Sequence, residues 1–177
     1  MAFDINEAKY LLDSNSFIAP SRNYYKLEIM PAYWKWLADH QNNGLVLPKI
    51  VYDELTHDDD ELSQWVKKNL NNVVFSNYEQ DTDFWKEYGE VINYIQSSGY
   101  YKNPGIENWM QETKADPKII AIAKVYGLQI VTFEQSAGKL SKNNPIKKEP
   151  KIPDVAAYFG VECIDLFKLE ETLNMVI

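Results

Sequence analysis

The chain has 177 residues, 45% of them hydrophobic and 14% aromatic, which suits one domain with a full core, expected over 1–177. No apolar run approaches the ~20 residues that span a bilayer, and Met1 to Glu7 lacks the basic start and apolar centre of a signal peptide, so the expectation is a cytoplasmic protein with no membrane contact. A formal charge of −8 argues against coating nucleic acid through a broad basic surface, and the single cysteine, Cys163, excludes an internal disulfide and a multi-cysteine zinc site.

Tyr10-Leu11-Leu12 is a short apolar run followed at once by Asp13-Ser14-Asn15, the pattern of a buried strand leaving a sheet. Phe17 to Lys26 reads as a loop or short turn. Met30, Tyr33, Trp34 and Leu37 recur at helical spacing, with Pro31 suited to a first turn; Trp36 lies off that stripe and is expected at an interface. Leu45-Val46-Leu47 is a second strand, and Pro48 opens a helix that turns Ile50, Val51 and Leu55 inward. Asp58 to Glu61 reads as the acidic start of the next helix, matched to its dipole, with Leu62, Trp65, Val66 and Leu70 behind it. Val73-Val74-Phe75 is a third strand.

Phe84, Tyr88, Val91, Ile92 and Ile95 mark a long helix closed by Ser97-Ser98-Gly99. Asn103-Pro104 reads as an N-cap and first position, with Ile106, Trp109 and Met110 facing the core. Asp116-Pro117 starts a helix apolar nearly all round, hence deeply packed. Gln129 to Phe133 is a strand ending in Glu134. A lysine-rich connection at about 136–152 reads as a mobile surface loop. Pro153-Asp154 opens a short helix, Val161 to Ile164 forms the last strand with Cys163 as a small buried hydrophobe, and Asp165 caps the last helix. Strands alternating with helices predict a three-layer α/β/α sandwich with a mostly parallel central sheet.

Acids recur at comparable places. Asp13 follows the first strand and Glu54 sits in the helix after the second. Asp116 begins the buried helix, Glu134 ends the fourth strand and Asp154 begins the next short helix. In such sheets, strand C-termini and helix N-termini open onto one rim. Carboxylates converging there repel unless cations lie between them, and oxygen-only ligands favour Mg²⁺ or Mn²⁺ over zinc. Paired hard cations suit phosphodiester hydrolysis.

From Tyr10 to Leu173 the chain resembles the PIN-domain nucleases, most closely small bacterial PIN-like proteins. The resemblance rests on Leu11-Leu12-Asp13-Ser14-Asn15, Val51-Tyr52-Asp53-Glu54-Leu55, and Ala115-Asp116 with Ile119, Ile120 and Ala123. Ile130 to Glu134 and Gly160 to Asp165 complete it. It implies a PIN-like fold and a metal-dependent endoribonuclease, often the toxin half of a toxin–antitoxin pair. Asp13, Glu54 and Asp116 would bind the metals. Asn15 would support the first acid, and Ser14 and Thr132 are grouped with it. The fourth family acid is usually an aspartate soon after the strand; here Glu134 and Asp154 are alternatives on either side of the lysine loop. Cleavage would proceed by in-line attack of water, leaving a 5′-phosphate and a 3′-hydroxyl. The resemblance also implies an antitoxin partner and common dimerisation, to which Trp36 and the Tyr100-Tyr101 turn are candidate contributors.

Arg22 and Lys26, beside Tyr24 and Tyr25, are candidate contacts for a single RNA strand. Lys139, Lys142, Lys147 and Lys148 read either as a solvated loop or as a phosphate-contacting flap. The two histidines, His40 and His57, have no triad or zinc spacing. Ser14 has no glycine elbow, and there is no Gly-rich phosphate loop. A non-catalytic rival keeps the fold and docks a basic partner on the acidic rim. A phosphoacceptor domain is disfavoured because Val73 to Asn77 ends without the required aspartate.

Overall fold

The computed structural model describes residues 4–176; Met1, Ala2 and Phe3, part of the stretch read as lacking a leader, and Ile177 lie outside the described residues. In chain order the elements are β1 (Tyr10–Leu12), α1 (Asn15–Ala19), α2 (Pro31–Asp39), β2 (Leu45–Pro48), α3 (Lys49–Leu55), α4 (Glu61–Asn69) and β3 (Val74–Phe75). They continue with α5 (Thr82–Ser97), α6 (Gly105–Trp109), α7 (Ala115–Tyr126), β4 (Gln129–Val131), α8 (Ile152–Tyr158), β5 (Cys163–Ile164) and α9 (Leu166–Thr172). Two units emerge along this path. The first takes the residues up to Ser76, Leu128–Phe133 and those from Ile164 onward; the second takes Asn77–Gly127 and Glu134–Cys163.

The first unit is organised by its sheet, in the order β3-β2-β1-β4-β5 with all strands parallel. A strand with neighbours on both sides and cover on both faces must be apolar throughout. β1 satisfies this, with Leu11 and Leu12 almost fully buried, as do Val46 and Leu47 of β2 and Ile130 and Val131 of β4. The chain adds β2 and β3 on one side of β1, then returns to place β4 and β5 on the other. That reversal between β1 and β4 is the topological switch point, where an open α/β sheet leaves a crevice at its carboxyl edge. Helix α3 packs on β2 and β3, and α4 is capped by Asp60, whose carboxylate accepts the Ser63 N–H at 2.8 Å.

The segment after Asn15 is not a loop. Asn15–Ala19 is helical and Pro20–Tyr24 continues as a π-helical turn. Tyr25 stacks on Tyr33 with centroids 4.0 Å apart, and the Trp34 indole N–H donates to the Tyr25 carbonyl. Trp36, expected at an interface, is instead buried against Tyr33 and His40. Cys163 is half-buried rather than a core residue.

The second unit is helical. The apolar α7, with Ile119, Ile120 and Ile122 fully buried, packs along α5. The Tyr126 hydroxyl at the end of α7 donates to the Asp81 cap of α5 at 2.7 Å, so the two helices run in opposite directions. Gly127 closes α7 in the left-handed conformation that glycine tolerates. In α6 the cap is Pro104 rather than Asn103, and Met110 is exposed while Trp109 is buried. Tyr101 is buried as well, which removes it from any surface role.

The lysine-rich connection is tied down. Ile146 N–H donates to the Tyr100 carbonyl at 2.8 Å, Lys102 N–H to Ile146 at 2.9 Å and Gly105 N–H to Lys147 at 3.1 Å. Only glycine fits at 105: a Cβ there would lie 2.2 Å from the Lys148 carbonyl oxygen.

Glu170 on α9 is 6% exposed. Its Oε2 accepts a hydrogen bond from the Tyr25 hydroxyl at 3.2 Å, whereas Oε1 and the buried Tyr33 hydroxyl have no partner among the described residues. Burial pushes this carboxyl up to about 7; the Tyr25 hydrogen bond opposes the shift and Asp165 adds to it. In the unfolded chain a glutamate titrates near ~4.3. The folded protein therefore holds the proton more tightly, and stability is lost as pH rises from the unfolded value through about 7, the loss being complete above it. Glu170→Gln is expected to stabilise the protein by about 2 kcal/mol near pH 8 and to be neutral near pH 4, read from urea unfolding at both pH values. A pH-independent difference would contradict this origin.

Candidate metal centre

Asp13 owes its position to strand register. β1 pairs with β4 through Leu12 opposite Val131, and the Asp13 N–H donates to the Val131 carbonyl at 3.0 Å. One residue further along, Asp13 and Thr132 are neighbours, and the Thr132 hydroxyl donates to Asp13 Oδ2 at 2.8 Å. Both are buried at the carboxyl edge of the switch point, with Asp13 2% exposed. Ser14 Oγ lies 3.5 Å from Asp13 Oδ1, at the outer limit of a hydrogen bond. Ser16, the second residue of α1, donates to the Val131 carbonyl at 2.7 Å and fixes the departing backbone.

Asn15, the first residue of α1, makes no side-chain hydrogen bond among the described residues, and Thr132 holds Asp13 instead. Glu54 is exposed on α3, where Val51 and Leu55 are buried, and has no side-chain partner among the described residues. Its neighbour Asp53 pairs with Lys49.

In the second unit each candidate acid has protein partners. Asp116 is in the first turn of α7, whose cap residue is Lys114. The Lys114 ammonium lies 3.3 Å from Asp116 and 2.9 Å from Glu149, joining the helix start to the lysine-rich loop. Burial pulls that ammonium down, but the two carboxylates outweigh it and hold Lys114 above the ordinary lysine range. Glu134 accepts from Lys151 Nζ at 2.6 Å and from Ile152 N–H at 2.7 Å, so it caps the start of α8. Asp154, in the first turn of α8, accepts from the Ser136 hydroxyl and from Ala137 N–H at 2.9 Å. The Lys114 link to Glu149 and the Lys151 link to Glu134 were not legible in the sequence, because these partners lie 35 and 17 positions apart.

Arg22 and Lys26 are exposed in the first unit, beside Tyr24, which stacks on Phe133 at 5.8 Å. Lys139, Lys142, Lys147 and Lys148 are exposed in the second. None of these six makes an ion pair among the described residues.

The donor chemistry suits a hard cation: every candidate ligand is a carboxylate, and a hydroxyl orients the buried one. Asp13 and Glu54 offer oxygen donors of that kind. At Asp116 and Glu134 a cation competes with a lysine. Among the described residues, no group of three or more His, Cys, Asp or Glu is gathered as a metal site.

Among solved structures, a chain of DNA-bound VapBC from Salmonella typhimurium is similar, with a TM-score of 0.50 and 18% identity over 89% of this chain and 98% of that one. This likeness is one of fold: α/β, with a parallel sheet flanked by helices, PIN-like. No curated protein matches. The family model described as "Domain of unknown function (DUF4411)" matches residues 10–177, and the chain belongs to that family.

Proposed function

We propose that the chain is a divalent-metal-dependent endoribonuclease of the PIN type, acting as the toxin of a toxin–antitoxin pair. The observation that carries this reading is the buried Asp13 carboxylate at the switch point of a parallel sheet, held by the Thr132 hydroxyl. The similarity to a VapBC chain supports the toxin–antitoxin part.

In this reading Asp13, Glu54 and Asp116 hold Mg²⁺ or Mn²⁺, with Glu134 or Asp154 as an outer ligand. When bound, the cations supply a more acidic water and neutralise charge on the phosphate oxygens. The chain's own residues do the positioning. Thr132 fixes the Asp13 carboxylate so that it need not reorganise. Asn15, whose amide carries both donors and an acceptor, orients the attacking water. Lys114 places a positive charge 3.3 Å from the Asp116 carboxylate. The antitoxin partner covers the acids, and a second copy of the chain completes a homodimer.

The second reading, a module that docks a basic partner, is favoured by the lysines already seated on Asp116 and Glu134. Calorimetric titration with Mn²⁺ separates the two. Binding tighter than millimolar that disappears in Asp13→Asn supports the nuclease, and no binding by the wild type supports the docking module.

Asp13→Asn and Asp116→Asn are each expected to abolish cleavage of single-stranded RNA in Mn²⁺. The thermal midpoint should stay unchanged or rise in Asp13→Asn and fall little in Asp116→Asn, since Lys114 keeps Glu149. Wild-type cleavage by either variant would remove the reading. Thr132→Val takes the hydroxyl from a buried carboxylate and should cost about 1–3 kcal/mol in urea unfolding, together with a fall in cleavage rate. Unchanged stability and rate would show that Thr132 does not position Asp13.

A further inference from the structure

The second unit contains a cleft of 270 Å³ bounded by the C-terminal half of α5, the turn that follows it, the lysine-rich loop and the end of α8. Two tyrosines form one wall. Tyr94 is buried and Tyr158 lies flat on it, with centroids 3.9 Å apart and planes 19° apart, yet Tyr158 remains 64% exposed. A ring supported on one face and open to solvent is a stacking platform whose conformational entropy is already spent. Tyr100 also lines the cleft, with the Lys142 ammonium 5.6 Å from its ring centre. Asn93 contributes an amide with both donors and an acceptor, and Glu90 a carboxylate.

Lys142 is held on this cleft by construction. The loop that carries it is bonded through Ile146 to Tyr100 and Lys102, and its stem passes within 3.6–3.7 Å of where a side chain on Gly99 would begin. Among the residues lining the cleft, Lys142 carries the positive charge and Glu90 the negative one. Glu149 is taken up by Lys114 and Lys151 by Glu134, leaving Lys139, Lys142, Lys147 and Lys148 without ion pairs among the described residues. The cleft is smaller than the roughly 300–1,000 Å³ of sites for drug-sized ligands, which suits one flat ring system. Glu90 repels phosphate, so an anionic group is directed toward Lys142.

We propose that this cleft takes one unpaired nucleobase of a single-stranded RNA, stacked on Tyr158, with the adjoining phosphate on Lys142. The choice of RNA among flat anionic ligands rests on the nuclease reading; the stacking platform and its cation do not.

The test is fluorescence anisotropy of a labelled single-stranded RNA of about twelve nucleotides with the full chain in EDTA, so that binding is read without cleavage. Stacking of one base is worth about 1–3 kcal/mol, so Tyr158→Ala should weaken binding roughly 5- to 150-fold. Tyr158→Phe keeps the ring and should bind within about twofold of the wild type. Lys142→Ala should weaken binding and flatten the salt dependence by about 0.7 in slope, the value for one phosphate on a single strand. Circular dichroism and thermal midpoints identify any variant that has lost its fold, in which case Tyr158→Ser takes the place of Tyr158→Ala. The proposal is overturned if the wild type does not bind the strand, if the ring-deleted variant binds like the wild type, if a duplex of the same sequence binds equally well, or if adenosine monophosphate binds as tightly as the strand. Cleavage assays of wild type and Asp13→Asn stand apart. Cleavage with an unaffected Tyr158→Ala removes only the cleft; loss of binding in Tyr158→Ala without cleavage by the wild type removes only the nuclease.

Discussion

The pairing of β1 with β4 is the constraint on which the rest of the first unit depends. Leu12 and Val131 meet across a parallel ladder after an excursion of more than a hundred residues. Parallel strands cannot be joined by a hairpin, so the intervening chain must leave the sheet and return. That return creates the switch point, and the register of the ladder decides what stands there. A slip of one residue would turn Thr132 to the other face and leave the Asp13 carboxylate buried without its hydroxyl donor. The position of Asp13 is thus a consequence of a backbone alignment, held by the β1–β4 ladder in which Leu11 pairs with Ile130 and Leu12 with Val131.

Charge is organised locally rather than globally. Asp116 and Glu134, expected to need cations beside them, have the chain's own. Lys114 serves Asp116 and Glu149 together, and Lys151 serves Glu134. Glu170 shows the opposite arrangement. With a tyrosine hydroxyl but no cation beside it, burial raises its proton affinity instead. A carboxylate beside an ammonium and one beside a phenol both occur in this protein.

Much of this was legible in the sequence, and the failures have physical causes. Runs such as Leu45-Val46-Leu47 and Ile130-Val131 announce buried strands because a parallel sheet requires apolar residues on both faces. The helix at Asn15–Ala19 was hidden because one and a half turns are too short to establish a period, and Pro20 and the polar residues after it resemble a loop. Trp36 was misjudged because a single stripe was taken as the whole buried face of α2, whereas stacking on Tyr33 widens that face. The lysine-rich loop looked mobile on composition alone; its order comes from backbone hydrogen bonds and a glycine contact, which carry no compositional signal. Among the candidate site residues, Asp13 was legible from its place after a strand. Its partner Thr132 lies 119 positions away and acquires meaning only through register.

The two alternatives for the fourth acid are less independent than their separation in sequence suggests. Glu134 grips the C-terminal end of the loop through Lys151 and Ile152, while Asp154 grips its beginning through Ser136 and Ala137. Each carboxylate therefore reaches across the loop from the opposite side, and together they close it. Each oxygen already has a donor, so a carboxylate that rotated toward a cation would release one end of the loop. Glu134 would surrender a helix N-terminal N–H and a lysine, Asp154 a hydroxyl and an N–H in an exposed turn. An exposed N–H is readily re-solvated, and a helix cap supported by a charge pair is not. By this reasoning Asp154 is the acid that turns at lower cost, and Glu134 is the one that keeps the loop in place.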